Sequence, residues 1–404
     1  MGLRKHSNLV SYALGNVLKY RTRSVAIVTA LILSTFLLGS AEFIREGVMT
    51  DLNASVDEGP DLIVQRLWGG RQAPVPLEWR ENLSAIHGVR LATPRVWGYI
   101  DVGGGGLLTL MGVNASEYGT IVGTTGTEIV EEGRFLNETD RYRMVVGEGI
   151  LEIMRTSLAG VNVGIGSSLS LIAQNGSLIE FEIIGVFSSS TRIYSNDMIV
   201  TDLGSARQVL GLDASSCTDY ALWGDYGEDL NSIAFRIDIQ IADARVMTRD
   251  AIADAMLVAY GGRGGIVALL WAVLLITVIL LAFTVSASGS DEARREVGLL
   301  KALGYDTVDV LEIRMFESFT LGMLGASLGV SSAIVYDFIL GAPILSEYLL
   351  GWSLLLLNGG LPLAISAPTI FTLYVVAIVP ILVATVIPAW RNAITEPDIV
   401  LRGI

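Results

Sequence analysis

Four long stretches of this 404-residue chain carry no charged side chain, and they limit its fold more than anything else in it. Residues 24–41 are uncharged, as are 266–290, 318–336 and the 43 residues from 348 to 390. A helix crossing a hydrocarbon core of about 30 Å needs about 20 residues, whereas ordinary buried helices show apolar runs of about 10–14. The runs therefore predict four membrane spans, at 24–43, 266–290, 317–340 and 369–390. The last run is too long for one helix. Asn358, Gly359, Gly360 and Pro362 break it, so 341–368 reads as a short exterior loop, interfacial or re-entrant. A fifth span at 349–365 would instead turn the C-terminus outward.

The basic residues set the orientation. Arg4, Lys5, Lys19, Arg21 and Arg23 precede the first span with no acid among them, which places residues 1–23 in the cytoplasm as an amphipathic leader. Lys19, Arg21 and Arg23 are candidates for contact with the membrane surface. A cleaved signal peptide is the competing reading of 24–41, but no small-residue cleavage site follows it. Both termini then face the cytoplasm, with 391–404 as a tail. Residues 291–316 form a cytoplasmic loop, and 44–265 form a large exterior segment.

That exterior segment holds 16 Arg, no Lys and 29 acids, so it carries nearly all of the chain's net charge of −14. Such a balance argues against nucleic acid as a partner, because phosphate contacts need a basic face. It fits a solvated acidic surface, or a face for a cationic ligand. All five N-x-[ST] sequons lie there, at Asn53, Asn82, Asn114, Asn137 and Asn175, and are candidate N-glycosylation sites. The segment reads as α+β. Strands are expected at 61–65, 89–102, 107–113, 142–147, 168–173, 177–187, 197–201 and 232–239. Helices are expected at 43–56, 148–157, 202–210 and 241–260, and Gly103–Gly106 as a turn. The predicted fold is thus a four-span α-helical membrane protein with a large extracytoplasmic α+β domain inserted between spans 1 and 2.

No catalytic constellation stands out. One cysteine, Cys217, and two distant histidines, His6 and His87, leave no multi-Cys metal site and little for general-base work. No Walker A motif occurs. An enzyme role and a resident metal or cofactor are therefore not expected.

The most informative segment is 291–317, DEARREVGLLKALGYDTVDVLEIRMFE: a polar helix, a Gly-Tyr-Asp turn, and a second helix capped at Asp306 or Thr307. A compact helix held at the inner membrane face is suited to docking in a groove; its plainer role is a hairpin joining two spans. REVGLLKALGYDTVDVLEIRMFESFTLGMLGASLGV closely resembles the signature of the MacB/FtsX/LolC-LolE type of ABC-transporter permease, whose E-[IV]-G-x-x-[KR]-A-x-G segment forms a coupling helix. SYALGNVLKYRTRSVAIVTALI resembles that family's leader and first span, and VIPAWRNAITEPDIVLRGI its tail, with Asn392 beside the expected Ala393. VVGEGILEIM, VGIGSSLSLI and FEIIGVF resemble its exterior domain.

The resemblance implies a permease that binds a separate ATPase, which holds ATP and magnesium, and that pairs with a second permease chain, the same or related. Movement driven from the cytoplasm would reach the exterior domain to export or extract a substrate. A regulator of a cell-surface or cell-wall enzyme is the alternative, and a surface receptor without an ATPase is a third. An accessory surface protein is a further expected partner, beside the lipid bilayer of the cell membrane. By the same resemblance Arg295, Glu296, Gly298, Leu299, Lys301 and Gly304 would form the ATPase-coupling surface. Gly298 and Gly304 would give close approach and the turn, and Arg295, Glu296 and Lys301 would pair at the rim.

Overall fold

The computed structural model describes residues 2–101, 107–121, 130–157, 163–187, 198–261, 268–280 except 270, 274 and 278, 290–345 and 363–394. These divide into two compact units. One comprises 1–47, 262–345 and 363–404, and the other 48–261 with 346–362.

The first unit is helical. A leader helix, Gly2–Lys19, is followed by a first long helix, Arg21–Glu58, whose ends lie beyond the 24–43 expected from hydropathy alone. A loop helix spans Ser290–Ala302, a second long helix Thr307–Ile334 ends in a π-turn at Val335–Ile339, and a last helix spans Ala367–Ile394. Three helices among the described residues are long and apolar enough to cross a membrane: Arg21–Asp57, Thr307–Ile339 and Ala367–Trp390. The fourth expected span, 266–290, lies largely outside the described residues, although those described from 268 to 280 are helical. The 346–362 stretch and the 395–404 tail also lie outside them.

Glycine sets how closely these helices approach. A Cβ on Gly325 would sit 2.5 Å from the Leu31 Cβ, and one on Gly329 would sit 2.7 Å from the Thr35 Cβ and 2.9 Å from the Ile32 carbonyl. The G-x-x-x-G pair thus lets the second long helix lie against the first, as small residues do between membrane helices. Leu33, Leu328, Val379 and Val383 remain exposed, apolar surface of the kind a bilayer covers.

The second unit is a mixed sheet with helices packed on it. Its strands are β1 (Leu62–Trp68), β2 (Arg71–Ala73), β3 (Val75–Pro76), β4 (Val89–Asp101), β5 (Leu107–Val113), β6 (Val130–Gly133), β7 (Arg143–Gly147), β8 (Ser168–Ile172), β9 (Leu178–Phe187), β10 (Met198–Asp202), β11 (Ser216–Cys217), β12 (Asp219–Gly224) and β13 (Ala244–Thr248). The main sheet runs β13-β1-β12-β4-β5-β10-β7-β9-β6, with β2 beside β1 and β8 beside β9, while β3 and β11 pair separately. The long β4 unites its halves: residues 89–95 pair with β12 and 96–101 with β5. One continuous core, including Leu62, Leu110, Met144, Phe181 and Tyr220, lies beneath.

Two expectations fail in this unit. Residues 232–239, read as a strand, form part of the helix Leu230–Gln240. The Asp229 carboxylate caps it by accepting the Asn231 and Ser232 N–H groups, and Ile233 and Ile237, four apart, fill the core. Residues 241–260, read as one helix, instead hold β13 and then the helix Arg249–Gly261, because β13 pairs along β1 from Leu62 to Arg66. The reading also passed over β12, whose six residues are all buried. The helices at Glu148–Ser157 and Leu203–Leu210 stand as expected, the latter capped by Asp202, which accepts the Ser205 N–H at 2.9 Å. The Gly103–Gly106 turn lies outside the described residues.

Candidate functional site

The loop helix stops where its sequence demands. Gly304 takes φ +95°, a left-handed conformation that costs glycine nothing. Its N–H donates to the Lys301 carbonyl at 3.0 Å, and the Tyr305 N–H donates to the Leu300 carbonyl at 3.1 Å. This paired closure is a Schellman motif, and it satisfies the terminal carbonyls while reversing the chain. The second long helix begins at once, with the Asp306 N–H donating to the Asp309 carboxylate at 3.0 Å.

The two sides of the loop helix differ. Val297 and Leu300 point inward, into a cluster with Leu9 and Ala13 of the leader helix and Val310 and Ile313 of the second long helix. Beside that cluster the Glu296 carboxylate, 9% exposed, accepts from three donors: the Tyr12 hydroxyl at 2.9 Å, the Asn16 amide at 3.0 Å and the Arg314 guanidinium at 2.9 Å. Arg314 also donates to Glu317 at 2.7 Å, and Asn16 to Glu317 at 2.8 Å. Burial, then the hydrogen bond to Glu296, pushes the Tyr12 hydroxyl up to about 12, so it stays a donor at neutral pH. The other side is bare: Leu299 is 59% exposed and Leu303, just past the helix end, 69%.

The six residues expected to form one surface therefore part company. Leu299 and Gly304 are exposed and Lys301 is half-buried. Gly298 is buried, and the Arg295 side chain lies outside the described residues. Glu296 does not sit at a rim. Its carboxylate is turned inward, because a cation and two neutral donors from other helices compete for it. Tyr12, Asn16, Arg314 and Glu317 were missed. Arg314 and Glu317, three apart at the start of an apolar run, were the one signal for them in the sequence. Among the basic residues before the first span, Lys19 and Arg21 are exposed, with the Lys19 ammonium 5.0 Å from the Tyr20 ring centroid. Arg23 is half-buried and interacts electrostatically with Arg314, Glu317 and Glu296.

No group of three His, Cys, Asp or Glu side chains able to hold a metal occurs among the described residues. An open cleft of about 520 Å³ is lined by Trp97, Tyr99, Ile172, Gln174 and Leu210. Four sequon asparagines, Asn53, Asn82, Asn137 and Asn175, are exposed, and Asn114 is half-buried. Asn114 and Asn175 each accept the hydroxyl of their own sequon serine, at 2.9 and 2.7 Å.

Comparison with known proteins fixes the family. The MacB-like periplasmic core domain matches residues 24–251, and the FtsX-like permease C-terminal domain matches residues 267–397. The chain belongs to the MacB/FtsX-type ABC transporter permeases. An uncharacterised ABC transporter permease of Methanocaldococcus jannaschii is 23% identical over 217 residues, 51% of each chain. The matched region thus spans about half the length of that relative. Two solved structures are also similar at lower overall agreement. The periplasmic region of MacB from Actinobacillus actinomycetemcomitans has a TM-score of 0.35 and 15% identity, covering 50% of this chain and 95% of that one. The extracellular domain of the noncanonic ABC-type transporter YknZ from Gram-positive bacteria has a TM-score of 0.34 and 13% identity, covering 46% and 99%.

Proposed function

We propose that this MacB/FtsX-type permease is the non-catalytic membrane subunit of an ABC transporter. A separate ATPase docks on the loop helix, and its ATP-driven movement displaces the extracytoplasmic domain to export or extract a substrate. The observation that carries this reading is the two-sidedness of the loop helix, packed within the chain through Val297 and Leu300 yet bare at Leu299 and Leu303. Exposed leucines on a short helix, with Lys301 beside them, suit insertion into an apolar groove with an acidic margin. ATP and magnesium belong to the partner chain, a second permease chain completes the assembly, and both termini lie in the cytoplasm. Arg295 and Gly304 are retained at the docking surface, while Glu296 and Gly298 shape it from within.

The test is co-purification of the tagged full chain in mild detergent, with a Leu299→Glu/Leu303→Glu variant as control. Bound ATPase in near-equal amount, falling about a hundredfold in the variant, is the expected result; two desolvated leucines support a loss of that size. A folded parent chain that brings down no ATPase overturns the reading.

A further inference from the structure

The polar cluster on the inner side of the loop helix, buried except at Tyr12, has a use that the docking reading does not absorb. Glu296 lies on the loop helix, Tyr12 and Asn16 on the leader helix, and Arg314 and Glu317 on the second long helix. A carboxylate needed only to neutralise Arg314 would be redundant, because Glu317 already pairs with that guanidinium at 2.7 Å from the same helix. Glu296 adds the two bonds from the leader, across 284 and 280 residues of sequence. Asn16 spreads its amide over both acids, which leaves no member of the cluster bound to its own helix alone. Hydrogen bonds to charged groups in a partly dry site are the stronger kind, and a shared network resists loss of one member. A second contact reinforces it at the edge, where the His6 ring meets the Glu312 carboxylate at 2.5 Å.

We infer that Glu296 is a positioning residue that clamps the leader helix and the second long helix to the loop helix, so that a push on the docking face moves all three together. This rests on the docking reading for the source of the push, but not for the clamp. The leader is then a working part of the drive and not only a membrane-surface anchor. Without Glu296, the leader would keep its bonds to the second long helix through Asn16 and His6 but would be held to the loop helix by apolar contacts of Leu9 and Ala13, which are not directional.

The test uses the full chain in lipid nanodiscs, with its co-purified ATPase, and amide hydrogen exchange read with and without ATP. Glu296→Ala would remove one of the two carboxylates that hold Arg314 and could unfold the unit, so the informative variant is Tyr12→Phe/Asn16→Ala. It cuts the leader side while keeping the Glu296–Arg314 pair. The expected result is ATPase binding within about twofold of the parent, leader exchange over residues 2–19 raised about tenfold or more, and loss of the ATP-dependent change in that exchange. Unchanged leader exchange overturns the clamp. Raised exchange with an intact ATP response overturns the positioning role, leaving only packing. If the parent binds no ATPase while the variant still loosens the leader, the docking reading falls, and with it the transmission here inferred, whereas the clamp stands.

Discussion

Two buried ion-pair networks, one in each unit, handle the same problem differently. In the sheet unit the Arg95 guanidinium grips Asp219 with two bonds of 2.8 and 2.9 Å, and the Trp97 indole donates to the same carboxylate at 2.8 Å. Arg95 and Asp219 are direct register partners on β4 and β12. Burial works against the Arg95 charge, and Asp219 outweighs it, so the guanidinium is held more firmly protonated than usual. The pair fixes two strands that the backbone ladder already joins. In the helical unit, Glu296, Arg314 and Glu317 link three helices that share no backbone ladder, so beyond the turn at Gly304 side chains set their relation. A charge buried inside a sheet secures register, whereas one shared among helices defines a body that moves as a whole.

The sharpest way to break that contrast is Arg95→Met. It leaves Asp219 buried without its cation, and a stranded buried charge costs about 3–5 kcal/mol. The sheet unit's thermal transition in the full chain should fall steeply, and adding Asp219→Leu should recover most of the loss. A single variant that melts like the parent would show the pair to be dispensable. Next in size is Gly329→Leu, which drives a side chain into Thr35 and the Ile32 carbonyl. Overpacking of this kind costs about 1–3 kcal/mol, seen as lower recovery of monodisperse protein in detergent. Gly15→Leu, where a Cβ meets nothing within 4 Å, should leave recovery unchanged.

The helical unit and the sheet unit also differ in how much of them the sequence reveals. An uncharged run marks a spanning helix by itself, so the helices about 24–43, 317–340 and 369–390 could be read without knowing their neighbours, although their ends could not. Asp202 advertised its helix because a cap acts within three residues. Pattern fails where the deciding contact is distant. Residues 232–239 alternate like a strand, with Ile233, Phe235, Ile237 and Ile239 all apolar, yet Phe235 and Ile239 are exposed in the folded helix. β12 is hidden by its charged first residue, Asp219, which becomes tolerable only once Arg95 is known to face it. At the site, Gly304 was legible as a turn from the sequence. The inward course of Glu296 was not, because its partners Tyr12 and Asn16 are remote in the chain.

A smaller effect, dependent on pH, comes from a third charge cluster, also in the sheet unit. The Asp140 carboxylate, 2% exposed, accepts from Arg134 at 2.6 and 2.9 Å, from Arg143 at 2.6 Å and from the Asn137 N–H at 2.8 Å. The Arg134 bonds, working against the cost of burial, hold it well below the usual carboxylate range. A carboxyl more acidic folded than unfolded gives stability that is present above its unfolded value of about 3.9 and is lost as pH falls. The sheet unit should therefore weaken on acidification below about pH 5, and Asp140→Asn should flatten that dependence. At neutral pH the variant should cost about 1–2 kcal/mol, because water screens guanidiniums that are 43% and 40% exposed.

The smallest effect is a rate and no loss of stability, and it reports on both larger ones. Cys217 is fully buried on β11, with its sulfur 3.5 Å from the Val75 carbonyl, and burial, aided by the Asp219 charge, pushes the thiol up to about 12. At pH 8 the thiolate fraction is then about one in ten thousand, and no reagent reaches it without opening of the strand pair. Iodoacetamide should leave the native chain unmodified for hours and label it at once in denaturant. Arg95→Met should speed native-state labelling, because Asp219 lies two residues from Cys217 and anchors the same stretch. Tyr12→Phe/Asn16→Ala should not, since its partners all lie within the helical unit. Equal acceleration by both variants would mean that the two networks stabilise one cooperative structure, and the contrast between them would fail.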